Sequence, residues 1–491
     1  MSEELGITVK KKENFSEWYN EVVLKAQLAD FSDIKGFMVV KPYGYAIWEK
    51  IQQYFDEKIK KIGHQNAYFP AVIPERFFEK EKEHVQGFSP EVFWITHAGK
   101  TELGERLALR PTSETIIYAS YAQWIRSWRD LPLLINCWNS VFRAETKMTK
   151  LFLRTREFLW QEGHTAHATK EEADEEVMTI LKIYRQVMEE LLAIPVITGM
   201  KTESEKFAGA LYTTTLEALM PDGRAIQMGT SHNLGQHFAK AFGIEFLDKN
   251  EKKQYAWQTS WGISTRLLGA ITMMHGDDRG LILPPSLAPI QVVVVPIIFD
   301  KSKAEVLKKA KELSEKLSQN FSVHLDAREG YSAGFKFNEW ELKGVPLRVE
   351  IGPKDIEKNQ VVVYRRDTGK KESIAAKELS KKTKAALEDI QKNLYKKSLD
   401  FLNSNTHEAS GFMEFKEIIE QKRGFIIANW CGAVKCEEEI KERTGATIRC
   451  LPFDPFGKSV DGKHFTSINK SGKCVFCGSD CETRVYFARA Y

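Results

Sequence analysis

The stretch that most restricts this chain is VFRAETKMTKLFLRTREF, residues 141–158. Arg143 and Glu145 sit two apart, a lysine-bearing run follows, and Arg154, Thr155, Arg156, Glu157 and Phe158 close the segment. Apolar residues flank it, Leu133-Leu134-Ile135 before and Phe158-Leu159-Trp160 after. The pattern predicts two strands joined by a long loop. Residues two apart share a strand face, so Arg143 and Glu145 point one way, as do Arg154, Arg156 and Phe158. Guanidinium forks match phosphate oxygens, a carboxylate can accept from a base amino group, and an aromatic ring can stack beneath it. That is a nucleotide site built on a sheet. A solvated, salt-bridged hairpin explains the same residues equally well on composition alone.

A length of 491 residues predicts two to four domains. The net charge of +4 permits a nucleic-acid partner without arguing for one. The charged start MSEELGITVKKKENF is no signal peptide, and no apolar run reaches membrane-helix length, so a cytoplasmic location is expected. Residues 14–35 read as a lead-in helix. Tyr43–Ile62 reads as an amphipathic helix stopped by Gly63. Asn66–Pro74 reads as an edge strand broken by prolines, and with the helix beside it offers a dimer surface. Arg110-Pro111-Thr112-Ser113-Glu114 precedes an apolar run, either as a helix cap or as a carboxylate awaiting an ammonium group. Residues 170–194 read as a structural helix. Arg224–His232 alternates as a strand with Gln227 and Gly229 on one face. Arg266 opens an apolar run after Gly262-Ile263-Ser264-Thr265, and a buried charge there requires an anionic partner, a carboxylate or a phosphate.

These stretches resemble the three motifs of class II aminoacyl-tRNA synthetases: helix and strand to Pro70, then Phe142–Phe158, then Gly262–Arg266 with its following helix. Arg110–Glu114, Trp160-Gln161-Glu162-Gly163-His164, Gly229-Thr230-Ser231-His232 and His275–Gly280 resemble the prolyl-tRNA synthetase family, and the likeness runs from about residue 14 to Tyr491. The resemblance implies ligation of proline to tRNA with ATP and Mg²⁺ by a homodimer. It implies that Arg143 and Arg266 are catalytic, flanking the transferring phosphate. Glu145, Arg154, Thr155, Phe158, Gln227, Thr230 and Ser264 would complete the ATP site. Thr112, Glu114, Arg143 and His232 would fix proline in a pocket of Phe88, Trp160, Glu162, His164 and Phe207. Glu157 to Gln227 spans too little chain for an inserted editing domain.

The implied fold is an antiparallel-sheet class II catalytic domain (1–285), an α/β anticodon-binding domain (286–402) and a zinc-binding α+β domain (403–491). The apolar run Ile290–Ile298 fits a central parallel strand, and helices alternate with strands through Arg365. Glu341, Arg348 and Lys354 match anticodon-facing positions of the family, while a solvated charged face explains each one singly. Of seven cysteines, only Cys137 precedes Cys431. Cys431-x4-Cys436 and Cys474-x2-Cys477 form a tetrahedral-zinc signature, matched by the family's C-terminal domain, with Cys450 and Cys481 as rivals. Four thiolates leave no open position, so the zinc would be structural. Family members of this type end in a tyrosine that returns toward the active site, as Tyr491 would. Two other readings stay open: a synthetase-like RNA-binding or regulatory protein without ligase activity, and a threonyl or seryl enzyme. The intact Arg143, Arg154 and Arg266 argue against the first. The remote cysteines argue against the threonyl form, which holds zinc in its catalytic core.

Overall fold

Period-two alternation along one long sheet organises the molecule. The computed structural model describes residues 6–82, 91–144, 148–453 and 470–491, the side chains of 80–82 excepted. Its largest sheet has 11 strands. They are β1 (Gln65–Asn66), β2 (Leu133–Phe142), β3 (Glu157–His167), β4 (Ile197–Met200), β5 (Tyr212–Leu219), β6 (Ala225–Gly235), β7 (Trp257–Ser264), β8 (Thr406–Glu408), β9 (Phe425–Asn429), β10 (Thr447–Pro452) and β11 (Arg484–Ala488). The spatial order is β8-β9-β11-β10-β4-β5-β6-β7-β3-β2-β1. Only the two edge pairs, β1–β2 and β8–β9, are parallel. Around the sheet lie helices α1 (Phe15–Lys25), α2 (Pro42–Lys60), α3 (Glu114–Trp124), α4 (Lys170–Gln186), α5 (Arg266–His275), α6 (Leu379–Ser404) and α7 (Val434–Thr444).

Helix α2 forms because Ile47, Trp48, Ile51, Phe55 and Ile59 recur at helical spacing behind Pro42 at its first turn. Helix α4 begins at a capping box, Thr169 accepting from the Glu172 amide at 3.2 Å while Glu172 reaches back to the Thr169 amide. Both helices cover one face of the sheet. Trp261 of β7 packs edge-on against Phe55 of α2 and Tyr184 of α4, with ring centroids 5.9 and 6.4 Å apart. Alternate residues of the same strands face the other way and line the cavity described below.

Several expectations change. The lead-in helix ends at Lys25, and Gln27 at φ 60° turns the chain into an antiparallel pair, Ala29–Phe31 with Met38–Val40. The Asn66–Pro74 strand is split: Gln65–Asn66 joins the main sheet, while Val72–Pro74 joins a three-stranded sheet with Trp94–Ala98 and Thr101–Leu109. Proline at position 70 cannot donate to a ladder, so the pairing breaks there. The apolar face of α2 packs into the core through Ile47, Trp48, Ile51, Phe55 and Ile59, and Tyr45 of the same helix stays partly exposed. What remains exposed beside the edge strand is Tyr68, 72% accessible.

A second sheet runs, in order, through Val323–Leu325, Val292–Pro296, Leu347–Ile351, Gln360–Arg365 and Lys371–Ala375. Val292–Pro296 is buried throughout and has a parallel neighbour on each side, which is why its residues are all apolar. This unit is tied to the first by Arg366, which donates to both oxygens of Asp277 at 2.8 and 2.5 Å. The C-terminal strands continue the main sheet through β10–β4, where Leu451 faces Met200 and Pro452 faces Gly199. At that seam Lys201 and Arg449 enclose Glu217, all three buried, at 2.8 Å each. Among the described residues no helix is long and apolar enough to cross a membrane.

Gly163 has no room for a side chain, because a Cβ there would lie 2.1 Å from the Trp261 ring. Gly163→Ala is expected to destabilise the protein by about 1–3 kcal/mol through overpacking, read as a lower urea midpoint with unchanged slope.

Candidate active site

A cavity of about 270 Å³ opens on the polar face of β3, β6 and β7. Phe158, Trp160, Glu162 and His164 enter it from β3 because residues two apart share a face. Ser260, Gly262 and Ser264 do the same from β7, where the register pairs His164 with Ser260, Glu162 with Gly262 and Trp160 with Ser264. Strand β6 departs from strict alternation. Leu216 faces Gly229 but Glu217 faces Gln227, so Met228 is an extra residue in the ladder. This bulge sends Met228 into the core and lets Gln227, Thr230 and His232 line the same cavity. Simple alternation places Gln227 and Thr230 on opposite faces, and the bulge is the reason they meet.

One end of the cavity is acidic and aromatic. Glu162 accepts from the Ser113 amide at 3.1 Å, the Ser113 hydroxyl, Asn139 Nδ2 at 2.8 Å and His164 Nε2 at 3.0 Å. Burial works against its charge, yet the His164 bond and those from Ser113 and Asn139 hold its pKa below the usual value. Burial likewise opposes a charge on His164, but Glu162 and Glu114 raise its pKa. Glu114, which accepts from the Thr112 hydroxyl, goes the other way: burial, reinforced by the Glu162 charge, raises its pKa. Glu114 therefore lacks a full counter-charge and suits an incoming ammonium group. Glu114, Glu162 and His164 lie close enough for a metal, but hydrogen bonds to Thr112, Ser113 and Asn139 occupy these carboxylates. The aromatic wall is Phe207, whose ring centroid is 4.9 Å from that of His232, with Trp160 held by its indole N–H to Asn139 at 2.6 Å.

The other end is cationic. Arg143 follows β2 and lies 5.2 Å above the Phe158 ring. Arg266 opens α5 and donates to the Gln227 carbonyl at 3.2 Å. Desolvation and the neighbouring Arg143 lower the Arg266 pKa to about 10, Arg154 pushing the same way and Glu217 opposing. Of the two anionic partners expected for Arg266, a carboxylate or a phosphate, the first is not supplied among the described residues: Arg266 forms no ion pair there, and Glu217 is already held by Lys201 and Arg449. Two guanidiniums crowded together in this way form a receptor for an anion.

Other expectations fall differently. Arg154 and Arg156 precede β3 and lie in the loop, and Arg154 is exposed outside the cavity wall. The buried Thr155 hydroxyl donates to the Glu157 carbonyl at 2.6 Å and faces a separate hollow with Phe31 and Lys150. Phe88 and Glu145 lie outside the described residues. Ser113, Asn139, Thr213 and Glu205 also build or line the site and were not singled out from the sequence. Asn139, a polar residue inside an apolar strand, was the signal available. Ser113 sits at the helix cap but bonds Glu162 instead of a helix amide.

In the second unit, Arg348 is 5% exposed, bonded to Glu350 and sandwiched between the Phe337 and Tyr364 rings at 4.1 and 4.2 Å. Glu341 accepts from Tyr364 and from Arg279 at 3.0 Å, while Lys354 is exposed. In the C-terminal region the thiols of Cys431, Cys436, Cys474 and Cys477 lie within 4.8 Å of one another. Cys431 is 3.6 Å from Cys436 and 3.8 Å from Cys477. Tetrahedral zinc with bonds of about 2.3 Å sets thiolates about 3.8 Å apart, so the donor set fits. Cys450 is buried elsewhere, and Cys481 stands outside the four. Tyr491 donates to Asp222 at 2.6 Å, and its amide bonds the Ala225 carbonyl at 3.1 Å, two residues before Gln227.

A sheet platform with cations on one side and an amino-acid-sized acidic pocket on the other defines a class II aminoacyl-tRNA synthetase core. Residues 93–275 match the class II core domain family of the G, H, P, S and T enzymes, residues 291–386 the anticodon binding domain, and residues 412–491 the prolyl-tRNA synthetase C-terminal domain. The chain is 53% identical over 483 residues to the proline–tRNA ligase of Natranaerobius thermophilus, covering 98% of this chain and 97% of that one. It is 53% identical over 478 residues to that of Alkaliphilus oremlandii, covering 97% and 96%, and 50% identical over 483 residues to proline–tRNA ligase 2 of Clostridioides difficile, covering 98% and 97%. The chain belongs to the proline–tRNA ligase family.

Burial lowers the His232 pKa from 6.5 to about 3, helped by the charge on His164. Between those values the unfolded chain takes up a proton at this position that the folded chain refuses, so stability falls as pH falls. Wild type is expected to lose about 1.4 kcal/mol more than His232→Gln between pH 7.5 and 5.5, measured by urea unfolding.

Proposed function

We propose that this cavity activates L-proline with ATP and then passes it to the 3′ end of tRNA(Pro), with the residues above in named roles. The observation that carries the reading is the pairing of Arg143 and Arg266 at one end with the undercompensated Glu114 at the other. Glu114, with Thr112 and His232, receives the secondary ammonium. Trp160 and Phe207 enclose the ring, and Glu162 and His164 hold the pocket floor. The substrate carboxylate is already ionised near neutral pH, so its attack on the α-phosphorus needs no base. An oxygen–phosphorus bond forms, the bond to pyrophosphate breaks, and the arginines balance the charge that develops. Arg143 serves both the carboxylate and the α-phosphate, and Phe158 stacks under adenine. Exposed Arg154 reaches in from its loop toward the outer phosphates and Glu145 receives the adenine amino group, with Gln227, Thr230 and Ser264 around ribose and phosphates, whereas Thr155, bonded to the Glu157 carbonyl and facing another hollow, takes no part. Bound Mg²⁺ supplies further charge neutralisation to the leaving pyrophosphate. The tRNA ribose hydroxyl then attacks the prolyl carbonyl and AMP leaves.

The anticodon-facing surface is assigned to Glu341 and Lys354, while Arg348, buried between the Phe337 and Tyr364 rings and bonded to Glu350, is no part of its exposed face. Cys431, Cys436, Cys474 and Cys477 hold a structural zinc. A homodimer forms through the β1 edge beside Tyr68, and the enzyme works in the cytoplasm. The catalytic domain ends near residue 285 and the anticodon-binding domain near residue 402.

Pyrophosphate exchange measured across the twenty amino acids is expected to respond to proline first. Exchange driven by another amino acid at greater efficiency overturns the assignment. Arg143→Ala and Arg266→Ala are each expected to lower kcat about 100- to 1,000-fold.

Between Glu157 and Gln227 the described elements are β3, α4 with the helical turn Val187–Leu191 that follows it, β4, β5 and the start of β6, all parts of the core. Purified protein is therefore expected not to deacylate mischarged alanyl-tRNA(Pro) efficiently. A hydrolysis assay with that substrate checks it.

A further inference from the structure

The segment 201–211 between β4 and β5 carries Glu205 and Phe207 into the cavity wall. Its own ladder bonds are few, so its position must come from elsewhere. Its first turn is tight, with the Thr202 carbonyl accepting from the amides of Glu205 at 3.1 Å and Lys206 at 2.9 Å. The side chains at its start lead out of the catalytic core. Thr202 Oγ1 donates to Glu437 Oε1 at 2.9 Å, and Ser204 Oγ donates to Glu437 Oε2 at 2.8 Å. Glu437 belongs to α7 in the C-terminal region and is 6% exposed.

Each carboxylate oxygen thus grips one hydroxyl, and bonds to an ionised acceptor are stronger than neutral ones. The first turn of α7 favours a negative charge at this position. Cys436, one residue earlier, belongs to the four-thiol cluster. Beyond the turn, the Phe207 amide donates to Thr213 Oγ1 at 2.9 Å. The Thr213 hydroxyl is also hydrogen-bonded to His232 Nδ1, at 2.9 Å. A continuous set of hydrogen bonds runs from α7 to the aromatic wall of the pocket.

We propose that Glu437 is a positioning residue for the amino-acid pocket, setting segment 201–211 and through it Phe207 and Glu205. The C-terminal region in this way takes part in amino-acid binding without touching the amino acid. The proposal rests on the assignment of the pocket to proline.

The test uses the purified full chain with Glu437→Ala, Glu437→Gln and the double variant Thr202→Val/Ser204→Ala. Exchange kinetics are read as separate KM values for proline and ATP, and hydrogen exchange is read over residues 203–209. Glu437→Ala is expected to raise KM for proline about tenfold, the loss carried by one hydrogen bond to a charged group. KM for ATP stays within about twofold, and protection is lost in 203–209 alone. Glu437→Gln recovers most of the effect, since its amide still reaches both hydroxyls. The double variant reproduces Glu437→Ala, and combining the two adds nothing further. An unchanged KM for proline with wild-type protection overturns the proposal. So does an equal rise in both KM values with protection lost throughout the chain, which marks a merely structural role. If wild type exchanges with another amino acid instead, the pocket assignment fails. The protection of 203–209 then still decides whether Glu437 holds the segment.

Discussion

The pairing of β3 with β7 is the constraint on which the site depends. Its register sets Gly163 opposite Trp261, Glu162 opposite Gly262 and His164 opposite Ser260. A slip of one residue would send every alternate side chain to the wrong face. The indole of Trp261 prevents it, because only a glycine leaves space for that ring between the strands and helices α2 and α4. The same packing that closes the core therefore aims Trp160, Glu162 and His164 into the cavity. Stability and site geometry are one interaction seen from two sides of a sheet.

The cavity is polarised along its length. At one end buried carboxylates and a histidine settle into a charged pair, Glu162 with His164, leaving Glu114 short of a cation. At the other, Arg143 and Arg266 are close enough that each disfavours the other's charge. Glu114 at the first end and Arg266 at the second are each left short of a counter-charge. An ammonium group at the first and phosphates at the second relieve both, which is how binding energy is directed to the reacting atoms.

The chain is less divided than three family matches imply. The C-terminal strands extend the catalytic sheet, and Arg449 reaches back to Glu217, the carboxylate that partly offsets Arg266. Tyr491 adds a bridge at the start of β6. The second unit shares no strand with the main sheet and is joined by the ion pairs Arg366–Asp277 and Arg279–Glu341, by backbone bonds from the Leu281 and Leu283 amides to the Leu342 and Gly344 carbonyls, and by Ala193 and Ile282 packed into its core.

Much of this was legible in the residues. The helical spacing of α2, the apolar run at Val292–Pro296, the paired cysteines and the Arg-x-Glu stretch each carry a local physical signature, because period, charge and ligand spacing are properties of neighbouring residues. What the sequence could not supply are facts about distant residues. The bulge at Met228 is visible only against β5, and it alone brings Gln227 to the side of Thr230. Arg348 looked like an exposed cation until Phe337 and Tyr364 were seen to enclose it. The sequence left a carboxylate or a phosphate open as the partner of Arg266, and only the fold shows that Lys201 and Arg449 hold the carboxylate nearby. Local chemistry determined which groups are present. Long-range packing decided which of them face one another, since burial, register and shared partners exist only once remote segments meet.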